Sequence, residues 1–288
     1  MNLSLSRSFP IAKAALAAAV IACTFALACS LTGCASGGTD STSANTDGKS
    51  LRVAMELAYP PFETKDDAGN PEGLAVDFIR DFGAAYGYDV QIENTAWDGL
   101  IPSLQSDKAD LVISSMTITD ERKQSVDFSD AYAMAQLAIL ANADSGVASI
   151  DDLNQPGKKV AVKTGSTGDV YATKNLTNAE IVRLADESAC VTEVVQGKAD
   201  GFLYDQLTIY RNHQANPDTT EAVFIPFQDA EEWGIAVKKG NTELLDQLNA
   251  FIAQSKTDGE FDRLTEKYLS EEKKAFDQYG FKWFFDFE

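Results

Sequence analysis

The chain predicts an α/β protein of two lobes, joined by a two-segment hinge with a ligand cleft between them. Three observations carry this. Strand-like and helix-like segments alternate from residue 51 to about residue 270. Val194-Val-Gln-Gly-Lys-Ala-Asp200 before Gly-Phe-Leu-Tyr204 mirrors Ser103-Leu-Gln-Ser-Asp-Lys-Ala-Asp110 before Leu-Val-Ile113. Two apolar strands, Gln136-Leu-Ala-Ile-Leu140 and Trp233-Gly-Ile-Ala-Val237, bracket the second half and suit the segments where the chain leaves one lobe and returns. The expected partition is a first lobe over 51–133 and 233–270, a second lobe over 134–232, and an aromatic extension over 271–288.

In order, Leu51-Arg-Val-Ala-Met55 reads as the opening strand and Leu74 to Tyr86 as an amphipathic helix. Asp89-Val-Gln-Ile-Glu93 is a second strand, Asp98 to Gln105 a helix, and Asp110 to Ser114 a third strand. That strand runs into Ser114-Ser-Met-Thr-Ile-Thr-Asp-Glu-Arg122, where Thr119 suits an N-cap and Asp120 and Glu121 the positive end of a short helix. The Ser114–Thr117 N–H groups and hydroxyls, with the Arg122 guanidinium, could converge on one small anion, best a carboxylate. Glu121-Arg122-Lys123 also reads as the solvated face of a short helix. Lys159-Val-Ala-Val-Lys163 repeats the opening strand, and Glu243 to Ile252 and Phe261 to Tyr268 form closing helices of the first lobe.

Ahead of this body lies a targeting segment. Arg7 and Lys13 form a positive region, Ala14 to Leu31 is apolar and Ala-rich, and Leu31-Thr-Gly-Cys34 ends the run. That ending resembles the lipobox of bacterial lipoproteins, which implies a signal peptide over 1–33, cleavage before Cys34 and lipidation of its sulfur. An uncleaved membrane anchor is the alternative. Residues 34–50, with almost no apolar content, read as a flexible tether of roughly 20 Å mean and about 50 Å maximal reach. A doubly acylated cysteine would hold the protein stably at a membrane.

Composition excludes several function classes. The 24 basic residues, less two in the leader, face 44 acidic ones, leaving a net charge of −22 on residues 34–288. Such acidity argues against nucleic acid as a partner. Of four cysteines only Cys190 remains once the leader and Cys34 are set aside, so no intramolecular disulfide is expected. Cys190 reads as a small core residue of a helix. The single histidine, His213, sits in a polar Arg-Asn-His-Gln stretch read as a loop without a partner, which argues against histidine-dependent catalysis and a zinc site.

The motifs Tyr59-Pro-Pro-Phe-Glu63, Trp97-Asp-Gly-Leu-Ile-Pro-Ser-Leu104, Met116-Thr-Ile-Thr-Asp-Glu-Arg-Lys123, Val126-Asp-Phe-Ser129, Gly165-Ser-Thr-Gly168, Trp233-Gly-Ile-Ala-Val-Lys-Lys-Gly240 and Asp258-Gly-Glu-Phe-Asp262 occur in that order. Over Leu51 to Leu269 the chain resembles the family 3 solute-binding proteins, the amino-acid receptors of ATP-binding-cassette importers, with the type II periplasmic-binding fold. The resemblance implies a monomeric, non-enzymatic receptor without cofactor or metal. It would close on an amino acid and present it to a permease with its ATPase.

The resemblance also implies roles. Arg122 would clamp the ligand carboxylate, helped by the Thr117 N–H and by Thr167 from the opposite lobe; helix N-termini favour anions independently. Asp205 and the Ser115 carbonyl would take the ammonium. Read alone, Asp205 is equally an N-cap before Gln206-Leu-Thr-Ile. Tyr59 and Trp97 would line the ligand, although Trp97 also suits a core position. Glu56 would touch the ligand side chain and favour an amide, hydroxyl or cationic group, and Lys163 opposite could reverse that preference. An enzyme on the same fold, a dehydratase of arogenate or prephenate type, is the alternative; it would need a proton donor such as Glu56 or Asp205. A receptor's sensor module is disfavoured. The extension beyond Leu269 departs from the family ending; it reads as a strap packing Phe281, Trp283 and Phe284 onto a lobe, or as a partner contact.

Overall fold

A computed structural model describes residues 49–279 and 282–287. The expected leader, Cys34 and nearly all of the tether lie outside the described residues, as does Phe281. No helix among the described residues is long and apolar enough to cross a membrane.

Two five-stranded sheets organise the body, and they match strand by strand. In the first, Tyr88–Asn94, Lys49–Met55 and Leu111–Val112 run parallel, followed by Ala236–Lys238, antiparallel to both its neighbours, and Val126–Phe128. In the second, Glu180–Leu184, Lys159–Lys163 and Gly201–Asp205 run parallel, followed by Leu137–Asn142, antiparallel, and Thr220–Val223. In each sheet the fourth strand arrives from the other side of the hinge.

The echoed Lys-Ala-Asp segments have one physical job in both lobes. The Asp110 carboxylate accepts the Arg52 N–H at 2.8 Å, and the Asp200 carboxylate accepts the Lys159 N–H at 2.8 Å. Each pins the first strand of its sheet beside the third.

The chain crosses between lobes in an antiparallel ribbon, Ala133–Ala135 against Glu231–Trp233. The expected lobe boundaries at 133/134 and 232/233 fall within this ribbon, and the apolar runs Gln136–Leu140 and Trp233–Val237, read as candidate crossing segments, begin at its end. Those apolar runs are buried as sheet strands, because burial on both faces is what a continuous apolar strand satisfies. The crossing lies just upstream of each. A correction concerns His213. It closes the helix Gln206–Ala215, and its ring Nδ1 lies 3.2 Å from the Thr220 hydroxyl, so it is neither in a loop nor alone.

The first lobe's core is aromatic. Helix Leu74–Tyr86 buries Leu74, Phe78, Ile79 and Phe82, whose i, i+4 spacing makes one face, and Gly87 ends it in the left-handed conformation. Truncating Phe82 to alanine would cost about 3–5 kcal/mol. The C-terminal strap packs as expected for Trp283 and Phe284, both buried. The Phe284 carbonyl accepts the Met134 N–H of the hinge ribbon at 2.7 Å, and its ring packs on Phe62 and Trp233. Cys190 is buried in the helix Glu187–Val195, and the apolar setting pushes its thiol up to about 12.

Candidate functional site

A cleft of about 480 Å³ between the two sheets is lined by Glu56, Tyr59, Trp97, Ser115, Thr117, Arg122, Thr167 and Asp205 together. All eight residues singled out from the sequence therefore share one cavity. Each reaches it from the C-terminal end of a strand or the start of a helix. Glu56 follows Lys49–Met55, Asp205 ends Gly201–Asp205, and Thr167 opens the helix Thr167–Asn175, whose N-cap Ser166 accepts the Asp169 N–H. Such strand ends are where open α/β sheets place ligands.

The turn after Leu111–Val112 builds the first wall. Ser115 takes a positive φ of 47°, rare for a residue with a side chain. Thr117 faces Trp233 in an isolated antiparallel bridge whose hydrogen bonds run through the flanking residues, Ile118 N–H to Glu232 and Gly234 N–H to Met116. This leaves the Thr117 N–H and carbonyl outside the ladder. The carbonyl accepts Arg122 Nη1 at 2.7 Å, and Arg122 Nη2 reaches the Gly165 carbonyl across the cleft at 3.2 Å. The N-cap position of the short helix Arg122–Gln124 is Glu121, not Thr119 as expected; the Thr119 hydroxyl, two residues earlier, accepts the Arg122 N–H at 3.2 Å. Burial holds the Arg122 guanidinium below its usual range, countered by Glu231.

The opposite wall rests on two close approaches. Gly165 has a φ of 73°, and a Cβ there would lie 3.5 Å from the Trp97 indole nitrogen; one on Gly168 would meet the Leu203 carbonyl oxygen at 2.4 Å. A side chain at Gly168 would push the Thr167 helix away from its own sheet, whereas at Gly165 the contact is an ordinary one and the left-handed backbone is what favours glycine.

Asp205 does both things the sequence allowed. Its Oδ1 accepts the Leu207 and Thr208 N–H groups at 2.9 and 3.1 Å, so it is an N-cap. Its Oδ2 is buried in the cleft with no partner in full hydrogen-bond geometry; the Tyr59 hydroxyl, likewise unpaired, faces it. Burial pushes the Asp205 carboxyl up against the downward pull of its capping bonds and of the Tyr59 hydroxyl. A buried acceptor with no donor costs free energy unless one arrives.

The far end of the cleft is an ion pair across the lobes. Lys163 Nζ meets Glu56 Oε2, with side chains only 5 % and 13 % exposed. Lys163 also lies 5.2 Å from the Trp97 ring centroid, and Arg122 lies 5.3 Å from it. Trp97 thus carries two cations.

Sequence reasoning missed several residues of this cavity, Glu63, Tyr204, Trp233 and Glu231 among them. Glu63 is buried and accepts the Ser115 hydroxyl at 3.1 Å and the Ser114 hydroxyl at 3.5 Å; burial pushes its carboxyl well above the usual range. Tyr204 and Trp233 close the aromatic wall around Tyr59. Glu231 links the lobes, its Oε2 accepting Thr117 Oγ1 at 2.9 Å and Thr167 Oγ1 at 2.7 Å. Glu63 ends the Tyr59-Pro-Pro-Phe-Glu63 motif, a signal that was on the page; nothing local marks Glu231. No cluster of metal-ligating side chains occurs among the described residues.

Known proteins resemble this chain over most of its length. Residues 51–271 match the model of the bacterial extracellular solute-binding proteins, family 3. A probable histidine-binding protein of Neisseria gonorrhoeae is 36% identical over 254 residues, 86% of this chain and 94% of that protein. Among solved structures, an ancestral amino-acid-binding protein described as a precursor of cyclohexadienyl dehydratase superposes with a TM-score of 0.71. It is 37% identical and covers 77% of this chain and 96% of its own. An ancestral arginine-binding protein bound to glutamine gives a TM-score of 0.70 at 36% identity, over 77% of this chain and 98% of its own.

Proposed function

The chain belongs to the bacterial extracellular solute-binding proteins, family 3, and on that premise we propose that it captures a polar α-amino acid by hinge closure. It would then deliver the ligand to an ATP-binding-cassette permease and its ATPase. One observation carries the reading: the buried Asp205 Oδ2, with no donor in full hydrogen-bond geometry, shares one cleft with Arg122, the Thr117 N–H and the first turn of the Thr167 helix. A zwitterion supplies an ammonium for the first and a carboxylate for the second. These groups sit on different lobes, so full contact requires closure. A cleft that meets each charge is needed, because so small a ligand gains at most about 1.5 kcal/mol per heavy atom.

The side-chain end favours a neutral polar group. Glu56 and Lys163 offset each other's charge, and an amide presents the donor and acceptor that this pair can take. A cationic side chain would meet Lys163 on the face of Trp97 as a like charge. Titrating the purified domain with the twenty amino acids and cystine, by calorimetry or thermal shift, tests this. Glutamine or asparagine should bind more tightly than arginine, lysine or glutamate. Silence across the whole panel would sink the amino-acid reading.

Lipidation of Cys34 would tether this body outside the cytoplasm at a membrane, as a monomer, within reach of its permease. Globomycin-sensitive processing and acyl labelling lost on Cys34→Ala check the anchor. The dehydratase reading is favoured by one observation, the buried and protonated-leaning Glu63 in the cleft, which has the character of a proton donor. Conversion of prephenate or arogenate by the purified protein would establish it.

A further inference from the structure

Glu231 projects from the hinge ribbon itself, from the strand Glu231–Trp233 that pairs with Ala133–Ala135. Its Oε2 collects one hydroxyl from each lobe, Thr117 Oγ1 at 2.9 Å and Thr167 Oγ1 at 2.7 Å, while Oε1 accepts Gln228 Nε2 at 2.7 Å. The carboxylate is thus held at three points. Thr117 and Thr167 are, with Arg122, the residues to which the proposed function gives the ligand's carboxylate, and Glu231 holds the hydroxyl of each threonine beside that seat. Arg122, the cation of that end, donates to the carbonyls of Thr117 and Gly165. It also acts on Glu231 through its charge, opposing the burial that pushes this carboxyl up. The anion seat therefore already contains an anion supplied by the chain.

We propose that Glu231 is a built-in carboxylate that competes with the ligand's own for Thr117 and Thr167, and so sets the affinity of the cleft and its preference for acids over amides. The proposal rests on the amino-acid reading above. Two carboxylates cannot share one buried seat without like-charge repulsion, so an incoming amino acid must displace Glu231 and forfeit its hydrogen bonds. A ligand whose α-carboxylate has become an amide brings no second anion and incurs less of that cost. Wild-type discrimination between an amino acid and its α-amide is accordingly compressed.

The test is isothermal titration of wild type, Glu231→Ala and Glu231→Gln with L-glutamine and L-glutaminamide, and with L-histidine and L-histidinamide as a second pair. Far-UV circular dichroism and melting curves establish that each variant is folded. Glu231→Ala should bind the better of the two amino acids about tenfold more tightly, the worth of one charge-assisted hydrogen bond. The amide's affinity should stay nearly constant, so that the acid-to-amide ratio grows by the same factor. Glu231→Gln, which keeps the shape and loses the charge, should move in the same direction by less. Equal or weaker binding of the amino acid by folded Glu231→Ala, or an unchanged ratio, overturns the proposal alone and makes Glu231 part of the holding set. No binding of any amino acid by wild type or either variant sinks the amino-acid reading and this proposal with it.

Discussion

The two ends of the cleft are built on opposite principles. At the Arg122–Asp205 end, groups keep directed capacity: Asp205 Oδ2 has no donor, and the Thr117 N–H stands outside its ladder. At the Glu56–Lys163 end the charges satisfy each other across the lobes. The difference separates what every α-amino acid shares from what distinguishes one from another. Under the proposed function the first end would take the zwitterion's charges, the ammonium meeting the buried Asp205 Oδ2, whose lack of a donor is costly. The second sets a preference through one ion pair, which a single substitution can change.

The strongest way to break this comparison is at the first end. Arg122→Ala and Asp205→Ala should each weaken binding of the best ligand at least about a hundredfold, the cost of stranding one member of a buried charge pair. Asp205→Asn keeps a capping oxygen and separates the ammonium contact from helix stability. If either alanine variant titrated like wild type, the division between the ends would be wrong.

At the second end, Lys163→Gln should leave the zwitterion contacts intact and shift the preference from neutral towards cationic side chains by about tenfold, one pairwise charge interaction. The ratio of arginine to glutamine affinity reads this directly. A parallel loss for every amino acid would place Lys163 in the common machinery instead.

The smallest effect lies behind both ends, at Glu187. Burial and the neighbouring Asp205 push its carboxyl from 4.5 to about 8, with Lys163 opposing. An acid whose pKa is raised by folding stabilises the fold below its unfolded pKa, and that contribution is lost as pH rises through the folded one. Melting temperature should therefore fall from about pH 4.5 to 8 more steeply in wild type than in Glu187→Gln. Coincident slopes would remove Glu187 from the electrostatics of the cleft.

Much of this was legible along the chain. The helix Leu74–Tyr86 is where its apolar spacing puts it, because a 3.6-residue period survives any tertiary context. Lys-Ala-Asp before each third strand marked the duplicated lobes, and in both the aspartate fixes the same junction. Around Arg122 the local pattern offered an anion site and a plain surface helix alike, and only the family resemblance chose between them. The hinge was partly legible. Gln136–Leu140 stood out because it is apolar, and apolarity reports burial in a sheet; the ribbon strand Ala133–Ala135 just ahead of it, where the expected boundary fell, is short and unremarkable in composition.

The sequence by itself determined the two α/β lobes, through its alternating local patterns, and its resemblance to a family named eight of the residues that line one cleft. Only the tertiary structure decided how the charges pair. Glu56 is 107 residues from Lys163, and Glu231 is 114 residues from Thr117 and 64 from Thr167. No periodicity or motif encodes such meetings; they follow from how one lobe is set against the other across the hinge. The same holds for the strap, where Phe284 reaches the Met134 N–H through packing that composition alone could not aim.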